Sequence, residues 1–363
     1  MGGWFEDLFG AEERCGPSEA TLERYEETRE MFSIEESDTG GDLLVAPNGR
    51  RFRPGRFETP SVAELRCKDQ ARCVGELEVL NIQGDVRDMH AKPEAAGATF
   101  QVASQFNCLE FMDASVTPES GVTRYIFDKT QGPACALACA ASTVWRNYFL
   151  PLDGARGQRS DYQLNCLADV QAHLGVLEVR NGYTFCSSLD VLSRKIGECD
   201  RDVLRAALRI GVQWNAEVTD PYYEFRKNPD TSKWEKACAP AGPVTQVFAS
   251  ALCVNPLQTE AWRPLAEIVL EGAYEATLAI AEQNWLRGGS RDVYLTHLGG
   301  NNFHNDHEWI ERAMRRAFEL YRQSGLRVFI VSRGEVMGRY RSLAAEYRAP
   351  ELDANVASVK MGG

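Results

Sequence analysis

The stretch Val293–Ile310, VYLTHLGGNNFHNDHEWI, decides the fold of this 363-residue chain. It opens with four β-forming residues, breaks at a Gly-Gly pair, passes through a polar loop and enters a helix. Asn305 is the predicted N-cap of that helix, because Glu308 three residues later completes a capping-box pattern. A further apolar strand follows at Leu326–Val331. The sequence therefore predicts a strand–loop–helix–strand unit, which is typical of an α/β fold.

Glycines open two of the predicted helices. A glycine loop before a helix presents free backbone N–H groups and the positive end of the helix dipole, which suits a phosphate group. Gly299 and Gly300 form one such loop, and Gly132 with Pro133 opens a second helix at a position where proline is favoured. The alternative for a short Gly signal is a tight turn without a ligand.

Strand-like and helix-like segments alternate along the rest of the chain. The strands are predicted at Glu76–Val86, Gly97–Asn107, Gly211–Val218 and Val244–Val254, and the helices at Ser18–Met31, Ser187–Ile196, Arg201–Arg209 and Pro264–Leu286. This alternation predicts an α/β fold with a central mixed, mostly parallel sheet and helices on both faces. Ligands bind outside the carboxyl ends of such strands, so we expect the loops after Leu80, Ala103 and Leu298 to meet at one edge.

Composition separates the chain into regions. Residues 1–75 are rich in charge and poor in apolar residues, which predicts an N-terminal arm outside the sheet. We expect a main domain at 76–345, with an insertion around 158–243, and a C-terminal tail at 346–363.

Charge and cysteine content exclude several classes of protein. The net charge of −12 argues against a broad nucleic-acid-binding face, although not against a pocket for one nucleotide. The number of cysteines, 11, is odd and several lie in apolar runs, so we interpret them as reduced thiols of a cytoplasmic or nuclear protein that is not secreted. Their spacing is not of the zinc type. No apolar run is long enough to span a membrane. We expect a monomer without a cofactor.

Three of the five histidines, His297, His304 and His307, lie within eleven residues. A zinc site was the alternative for this cluster, but the cap geometry points the side chains in different directions and no cysteine is near. We predict no metal.

A long segment between the second strand and the Gly-Pro helix carries four acids, Glu110, Asp113, Glu119 and Asp128. Loops of this length in compact domains are functional or disordered, and the aromatic residues of this one argue against disorder. Glu110 lies between two apolar residues, so partial burial and a raised pKa are expected. The alternative is a set of solvated loop acids.

Two motifs resemble those of macrodomains. LNIQGDV, followed by a strand that ends in Asn107, resembles the start of a macrodomain, and LTHLGGNNFHNDHEWIERAMRRAF resembles the phosphate loop of the poly(ADP-ribose) glycohydrolase branch. The resemblance covers roughly Glu76 to Gly334. The branch's Gly triplet and Gln-Glu-Glu signature are replaced here by the acid-bearing segment. That segment resembles atypical macrodomain-type hydrolases that remove single ADP-ribose units, including from arginine.

The resemblance implies a function and a set of binding residues. The function is removal of mono-ADP-ribose from modified protein by cleavage at C1″ of the distal ribose, with ADP-ribosyl-arginine as a candidate substrate. Asp85 would hold the adenine amino group and Asn107 the distal ribose. The remaining substrate-binding residues would be Gln131, Gly132, Gly299, Gly300, Asn302 and Phe303.

Cleavage at C1″ passes through an oxocarbenium-like transition state, which carboxylates serve by activating water or protonating the leaving group. We assign this role to Asp128 and Glu119 first and to Glu110 after them. The alternative is a catalytically silent module that reads ADP-ribose and would not need the acids. A weaker alternative is a phosphatase or deacetylase acting on an ADP-ribose derivative.

Overall fold

The computed structural model describes residues 3–16, 20–37, 41–67, 73–220, 225–227, 234–236 and 242–347. Its helices are α1 (Trp4–Phe9), α2 (Leu22–Glu30), α3 (Val62–Cys67), α4 (Val86–His90), α5 (Gln131–Ala138), α6 (Ala140–Tyr148), α7 (Ala168–Leu174), α8 (Leu189–Glu198), α9 (Arg201–Ala207), α10 (Thr259–Leu286), α11 (His307–Leu320) and α12 (Gly338–Ala345). Its strands are β1 (Ser33–Glu36), β2 (Asp42–Val45), β3 (Arg51–Phe52), β4 (Arg56–Glu58), β5 (Glu78–Gln83), β6 (Thr99–Ala103), β7 (Pro151–Leu152), β8 (Ala155–Arg156), β9 (Leu177–Arg180), β10 (Tyr183–Cys186), β11 (Gly211–Ala216), β12 (Phe225–Lys227), β13 (Trp234–Lys236), β14 (Val244–Ala249), β15 (Asp292–Leu295) and β16 (Arg327–Ser332).

A central sheet organises the described part of the chain. Its seven strands lie in the order β4-β11-β14-β6-β15-β16-β5. The strands from β14 to β5 run parallel, and β11 is antiparallel to both β14 and β4. Every residue of β14 and β15 is buried, as expected for parallel strands covered on both faces. The predicted α/β fold with a mixed, mostly parallel sheet is confirmed.

The helix after the glycine loop forms as predicted, but its N-cap is different. The predicted apolar face of α11 is buried through Ile310, Met314 and Phe318. The cap is Asp306, whose carboxylate accepts a hydrogen bond from the backbone N–H of Glu308 at 2.7 Å. The prediction of Asn305 as the cap is wrong, because its buried amide instead donates to the carbonyl groups of Leu252 and Phe303.

The N-terminal segment differs from the predicted arm. Arg56–Glu58 forms the edge strand β4, so residues 1–75 do not lie wholly outside the sheet. Apolar residues of α1 pack with the β1–β3 meander and α6 in a second hydrophobic core. This core is built from side chains widely spaced in the sequence, which is why the local composition indicated an arm.

Two further regions complete the described structure. Within the predicted insertion, α7, the β9–β10 hairpin, α8 and α9 precede β11. The predicted tail lies outside the described residues from position 348 onward. Among the helices that the structure describes, none combines the length and the apolar character needed to cross a membrane.

Phe9 tests whether the N-terminal segment is part of the folded core. Its fully buried ring lies 4.8 Å from the ring of Phe5, 5.2 Å from that of Phe32 and 5.5 Å from that of Phe52, between ring centroids. Phe9→Ala should lower the free energy of unfolding by about 3–5 kcal/mol, because it leaves a cavity in this core. The control Leu22→Ala, at a side chain that is 49% exposed, should change it by less than about 0.5 kcal/mol. Denaturant titration of both variants measures this. Equal stabilities of Phe9→Ala and wild type would show that the N-terminal segment is not packed as described.

Candidate functional site

A cleft of about 580 Å³ lies at the carboxyl ends of the parallel strands β5, β6, β15 and β16. Loops that follow each of these strands line it, as do the start of α5 and the hairpin strand β10. Its volume falls within the range of about 300–1,000 Å³ that is usual for small-molecule sites. The expectation that the loops after three sequence-predicted strands meet at one edge is confirmed.

The loop between β15 and α11 forms one wall of the cleft. Gly299 adopts a left-handed conformation with φ of +69°, and a Cβ there would lie 2.5 Å from Nδ2 of Asn305. Within the described ranges, the structure contains no hydrogen bond donated by the backbone N–H groups of Gly299, Asn301, Asn302 or Phe303. Such a run of free N–H groups is a favourable environment for an anion. The structure places Gly299, Gly300, Asn302 and Phe303 together in the cleft lining.

An aromatic wall stands beside this loop. The ring centroids of Phe303 and Tyr183 are 5.6 Å apart, and the Tyr183 hydroxyl donates to the carbonyl oxygen of Phe111 at 2.7 Å. Tyr183 was missed in the sequence analysis. The signal for it was Asn181-Gly182, a typical hairpin turn in which both residues have positive φ, 47° and 79°. This turn presents β10 to the cleft.

Asp85 lies in the cleft lining, at the end of β5. It caps α4 by accepting a hydrogen bond from the backbone N–H of Arg87 at 2.9 Å. The guanidinium of Arg333, which follows β16, lies 3.7 Å from its second oxygen. Asp85 is therefore positioned by the protein, and its role toward adenine stays a prediction.

Glu110 forms part of the cleft floor and is only 1% exposed. The Ser104 hydroxyl lies beside it but is directed at the carbonyl oxygen of Leu109, 3.4 Å away, and in the described structure neither carboxyl oxygen of Glu110 has a hydrogen-bond partner. Burial raises the pKa of Glu110 to about 8, and nearby Ser104 and Arg146 oppose this effect only in part. The expected burial of this residue is confirmed.

Gly132 explains how a carboxyl group reaches this position. A Cβ at Gly132 would clash with both the carbonyl oxygen of Ala103 and the carboxyl group of Glu110. Only glycine lets the first turn of α5 approach the end of β6 so closely. Gly132 thus lines the cleft, and Glu110 lies against the amino end of α5.

Arg146, a residue of α6 that the sequence analysis missed, places a buried cation near Glu110. Its Nε donates to the carbonyl oxygen of Cys108 at 3.1 Å, and its guanidinium carbon lies 3.9 Å from the ring centroid of Phe248. Its Nη1 has no hydrogen-bond partner among the described residues. Burial lowers the pKa of Arg146, and the attraction of Glu110 opposes that shift. The available sequence signal was that this arginine is the one charged residue of α6.

Asp128 is half-buried and lines the cleft at the entrance to α5. Its carboxylate accepts hydrogen bonds from the backbone N–H of Thr130 at 2.8 Å and from the Thr130 hydroxyl at 2.7 Å. Its charge contributes to the raised pKa of Glu110. The structure therefore brings Asp128 and Glu110 together.

Glu119 and Asn107 are corrections to the predicted site, because the described residues that line the cleft include neither. The buried Glu119 carboxylate accepts hydrogen bonds from the backbone N–H and hydroxyl of Ser160, at 2.8 and 2.9 Å. The fully buried Asn107 amide donates to Gln163 at 2.8 Å. Both side chains hold loops of the protein together.

Gln131 lines the cleft, but its amide is used within the protein. It donates to the carbonyl oxygen of Gln101 at 2.7 Å and accepts from the N–H of Ala103 at 2.7 Å. These bonds fasten α5 to the end of β6. Direct binding of a ligand by this side chain would require them to break.

Two of the three clustered histidines, His297 and His307, pack around Tyr340. The ring of His297 stacks on Tyr340 with centroids 4.0 Å apart, and Nδ1 of His307 lies 2.8 Å from the Tyr340 hydroxyl. Burial lowers the pKa of His297 to about 4, so its imidazole is neutral at physiological pH. In the part of the chain that the structure describes, no group of three or more metal-ligating side chains is arranged to hold a metal ion.

The raised pKa of Glu110 predicts a pH-dependent stability. Between its ordinary value of 4.5 and about 8, the folded protein holds a proton that the unfolded chain has lost. The contribution of Glu110 to the free energy of unfolding should therefore fall by about 1.4 kcal/mol per pH unit as the pH rises through this window. Because Glu110→Gln cannot titrate, the stability difference between wild type and this variant should be most favourable to wild type at pH 5 and should decline toward pH 8.

Denaturant titrations at pH 5, 6.5 and 8 measure this difference. The control is Glu35→Gln, which removes an exposed carboxylate whose pKa is lowered by its hydrogen bond to Arg51. That group is ionised throughout the window, so the control difference should be constant. A constant difference for Glu110→Gln as well would show that Glu110 is not held protonated.

Comparison with known proteins found structural but not sequence similarity. No protein-family model matches the sequence, and no curated protein sequence matches it. Solved structures with a similar fold include the poly(ADP-ribose) glycohydrolase of Deinococcus radiodurans in complex with ADP-ribose, which is 12% identical, with 80% of this chain and 92% of that chain covered at a TM-score of 0.44. The apo form of that protein is 11% identical, with 81% of this chain and 94% of that chain covered at a TM-score of 0.38. The poly(ADP-ribose) glycohydrolase of Thermomonospora curvata is 14% identical, with 84% of this chain and 93% of that chain covered at a TM-score of 0.38. Similarity at this level does not assign a reaction, so the residues of the cleft must carry the functional assignment.

Proposed function

We propose that the cleft binds ADP-ribose and that the protein hydrolyses the glycosidic bond at C1″ of ADP-ribosylated proteins. The observation that carries this proposal is Glu110, a buried carboxyl group without a hydrogen-bond partner among the described residues, on the floor of a nucleotide-sized cleft. Unpaired buried carboxyl groups are costly to keep, and carboxyl groups with strongly shifted pKa values in clefts are characteristic of catalytic sites.

The backbone of the cleft offers a diphosphate two sets of free N–H groups, one in the glycine loop before α11 and one in the first turn of α5. Gly299 and the residues through Phe303 offer the free N–H groups described above, and the N–H groups of Gln131 and Gly132 in the first turn of α5 likewise have no acceptor in the described residues. Both sets belong to the cleft lining. Loops with free backbone N–H groups and helix starts both bind phosphate without needing a basic side chain, which is compatible with a net charge of −12.

The environments of Glu110 and Asp128 suit them to different steps. With a pKa of about 8, Glu110 is protonated at neutral pH and is suited to donate a proton to the leaving group. Asp128, oriented by Thr130 and closer to solvent, is suited to stabilise positive charge at C1″ or to activate the attacking water. This assignment keeps Asp128 and promotes Glu110, whereas Glu119 no longer belongs to the proposed catalytic set.

Mono-ADP-ribose is the substrate form that we propose. The sequence supports it through the acid-bearing segment that replaces the Gly triplet and Gln-Glu-Glu signature of the glycohydrolase branch. ADP-ribosyl-arginine is the first acceptor to test, followed by ADP-ribosyl-serine and ADP-ribosyl-glutamate. Comparison of these peptides with poly(ADP-ribose) as substrates separates the two forms.

Gly300 tests the binding part of the proposal. A Cβ at this position would lie 2.8 Å from Cε1 of His307 and 3.0 Å from Cδ1 of Ile310, so a larger side chain displaces the loop. Gly300→Val should weaken ADP-ribose binding by at least about tenfold in calorimetry, because the N–H groups move away from the diphosphate. Gly197→Val is the control, since no atom lies within 4 Å of the Cβ position at Gly197 and this residue is in α8. Equal affinities of wild type and Gly300→Val would remove the loop from the site.

Glu110 and Asp128 test the catalytic part. Positioned acid–base groups contribute about 10²–10⁴ in rate, so Glu110→Gln and Asp128→Asn should each lower single-turnover release of ADP-ribose by a factor of that order. Affinity for free ADP-ribose should change little, because the loss concerns the transition state. Glu94→Gln, at an exposed residue before the amino end of β6, serves as the control.

Two results would contradict this assignment. If Glu110→Gln retains the wild-type rate, the carboxyl on the cleft floor is not the acid. If the wild type binds ADP-ribose but releases none from any of the substrates, the protein is a reader rather than a hydrolase.

A further inference from the structure

The carboxylate of Glu13 fastens the N-terminal segment to the loop that precedes α5. Both of its oxygens accept from the backbone N–H of Val122, at 2.9 and 3.0 Å, and one also accepts from the N–H of Thr123 at 2.7 Å. The Thr123 hydroxyl forms a further short hydrogen bond to it, and the Tyr148 hydroxyl donates at 2.7 Å. A charged acceptor bonded by several donors is among the stronger polar contacts in proteins.

The loop backbone is shaped to receive this carboxylate. Gly121 adopts φ of +73°, and a Cβ there would lie 2.5 Å from the carboxyl carbon of Glu13. A second N-terminal side chain bonds the same turn, since Nε1 of Trp4 donates to the carbonyl oxygen of Thr123 at 2.9 Å. Glu13 and Trp4 therefore hold both the N–H and the carbonyl sides of the turn at Thr123.

This turn is connected directly to the candidate catalytic groups. Thr123–Phe127 forms a 3₁₀ helix that carries the buried Tyr125, and the Tyr125 hydroxyl accepts from the backbone N–H of Glu110 at 2.9 Å. The N–H of Asp128, the next residue along, donates to the carbonyl oxygen of Tyr125 at 3.2 Å. The same short helix thus positions the main chain of Glu110 and of Asp128.

We propose that Glu13 is a positioning residue, which acts through the Thr123–Phe127 helix to hold Glu110 and Asp128 in register with the cleft. The role in turnover rests on the proposed hydrolase function, whereas the role in ordering the loop does not. Loss of the Glu13 carboxylate leaves the N–H groups of Val122 and Thr123 without their acceptor and releases the helix that supports Glu110. The glycine loop at 299–303, between β15 and α11, is not part of this chain of contacts.

Glu13→Gln is the decisive variant, because it keeps the shape of the side chain but replaces one acceptor oxygen with a donor. Glu35→Gln is the matched control, since Glu35 belongs to the same N-terminal segment and pairs with Arg51. Hydrogen exchange should become about tenfold faster in the segment 118–128 of Glu13→Gln and should be unchanged at 299–303. Thr123→Val, which removes one donor to the carboxylate, should shift exchange in the same direction by a smaller amount, and it provides the test if Glu13→Gln does not fold.

Kinetics separate a positioning role from a structural one. In Glu13→Gln, kcat for ADP-ribose release should fall by about tenfold at 15 °C, while the Kd for free ADP-ribose stays within about twofold of wild type. Unchanged exchange at 118–128 in both variants overturns the proposal whether or not the protein is an enzyme. Faster exchange with an unchanged kcat also overturns it, because the loop would then be ordered without consequence for the reaction. A wild type that releases no ADP-ribose counts against the hydrolase function, and the exchange data still decide whether Glu13 holds the loop.

Discussion

The close approach of α5 to the end of β6 is the constraint on which the site depends. Gly132 lies against the carbonyl oxygen of Ala103 and the carboxyl group of Glu110, in a space where any side chain would clash. Gln131 completes this junction through its two hydrogen bonds to the β6 backbone. Among the described residues, the carboxyl group that lies at this junction has no hydrogen-bond donor. The geometry of one helix start therefore provides both free backbone N–H groups in the cleft lining and a carboxyl group whose pKa is raised by burial.

Local patterns in the sequence were sufficient for much of the fold. The strand–loop–helix–strand unit at 292–332 was predictable because each part is defined by neighbouring residues: four β-formers, a glycine turn and one apolar helix face. The convergence of the loops followed from the parallel order of the strands. The N-cap was misplaced by one residue because both Asn305 and Asp306 are good caps, and tertiary contacts of the Asn305 amide decided between them.

The ranking of the acids could not be predicted in the same way. Glu119 follows Pro118 in a loop whose path is fixed by partners distant in the sequence. One of these partners is Ser160, whose backbone N–H donates a hydrogen bond to the Glu119 carboxylate. Partial burial of Glu110 was predicted from its apolar neighbours, but its position under the cleft depends on the close approach that Gly132 permits. The buried cation Arg146, which opposes the rise of the Glu110 pKa, is also distant in the sequence. The packing of residues before position 75 could not be predicted from local sequence either, because the second core is formed by contacts between segments far apart in the chain.

The edge strand β4 has a consequence for how the chain folds. It pairs with β11, whose residues follow much later in the sequence, and that strand in turn pairs with β14. During synthesis, Phe57 therefore emerges long before β11, the strand with which it pairs. Pairings of such long range close slowly, since the entropy of a large loop must be overcome before the contacts form. The β4 segment thus remains without its strand partner until β11 has been synthesised, and this edge of the sheet is expected to form late in folding.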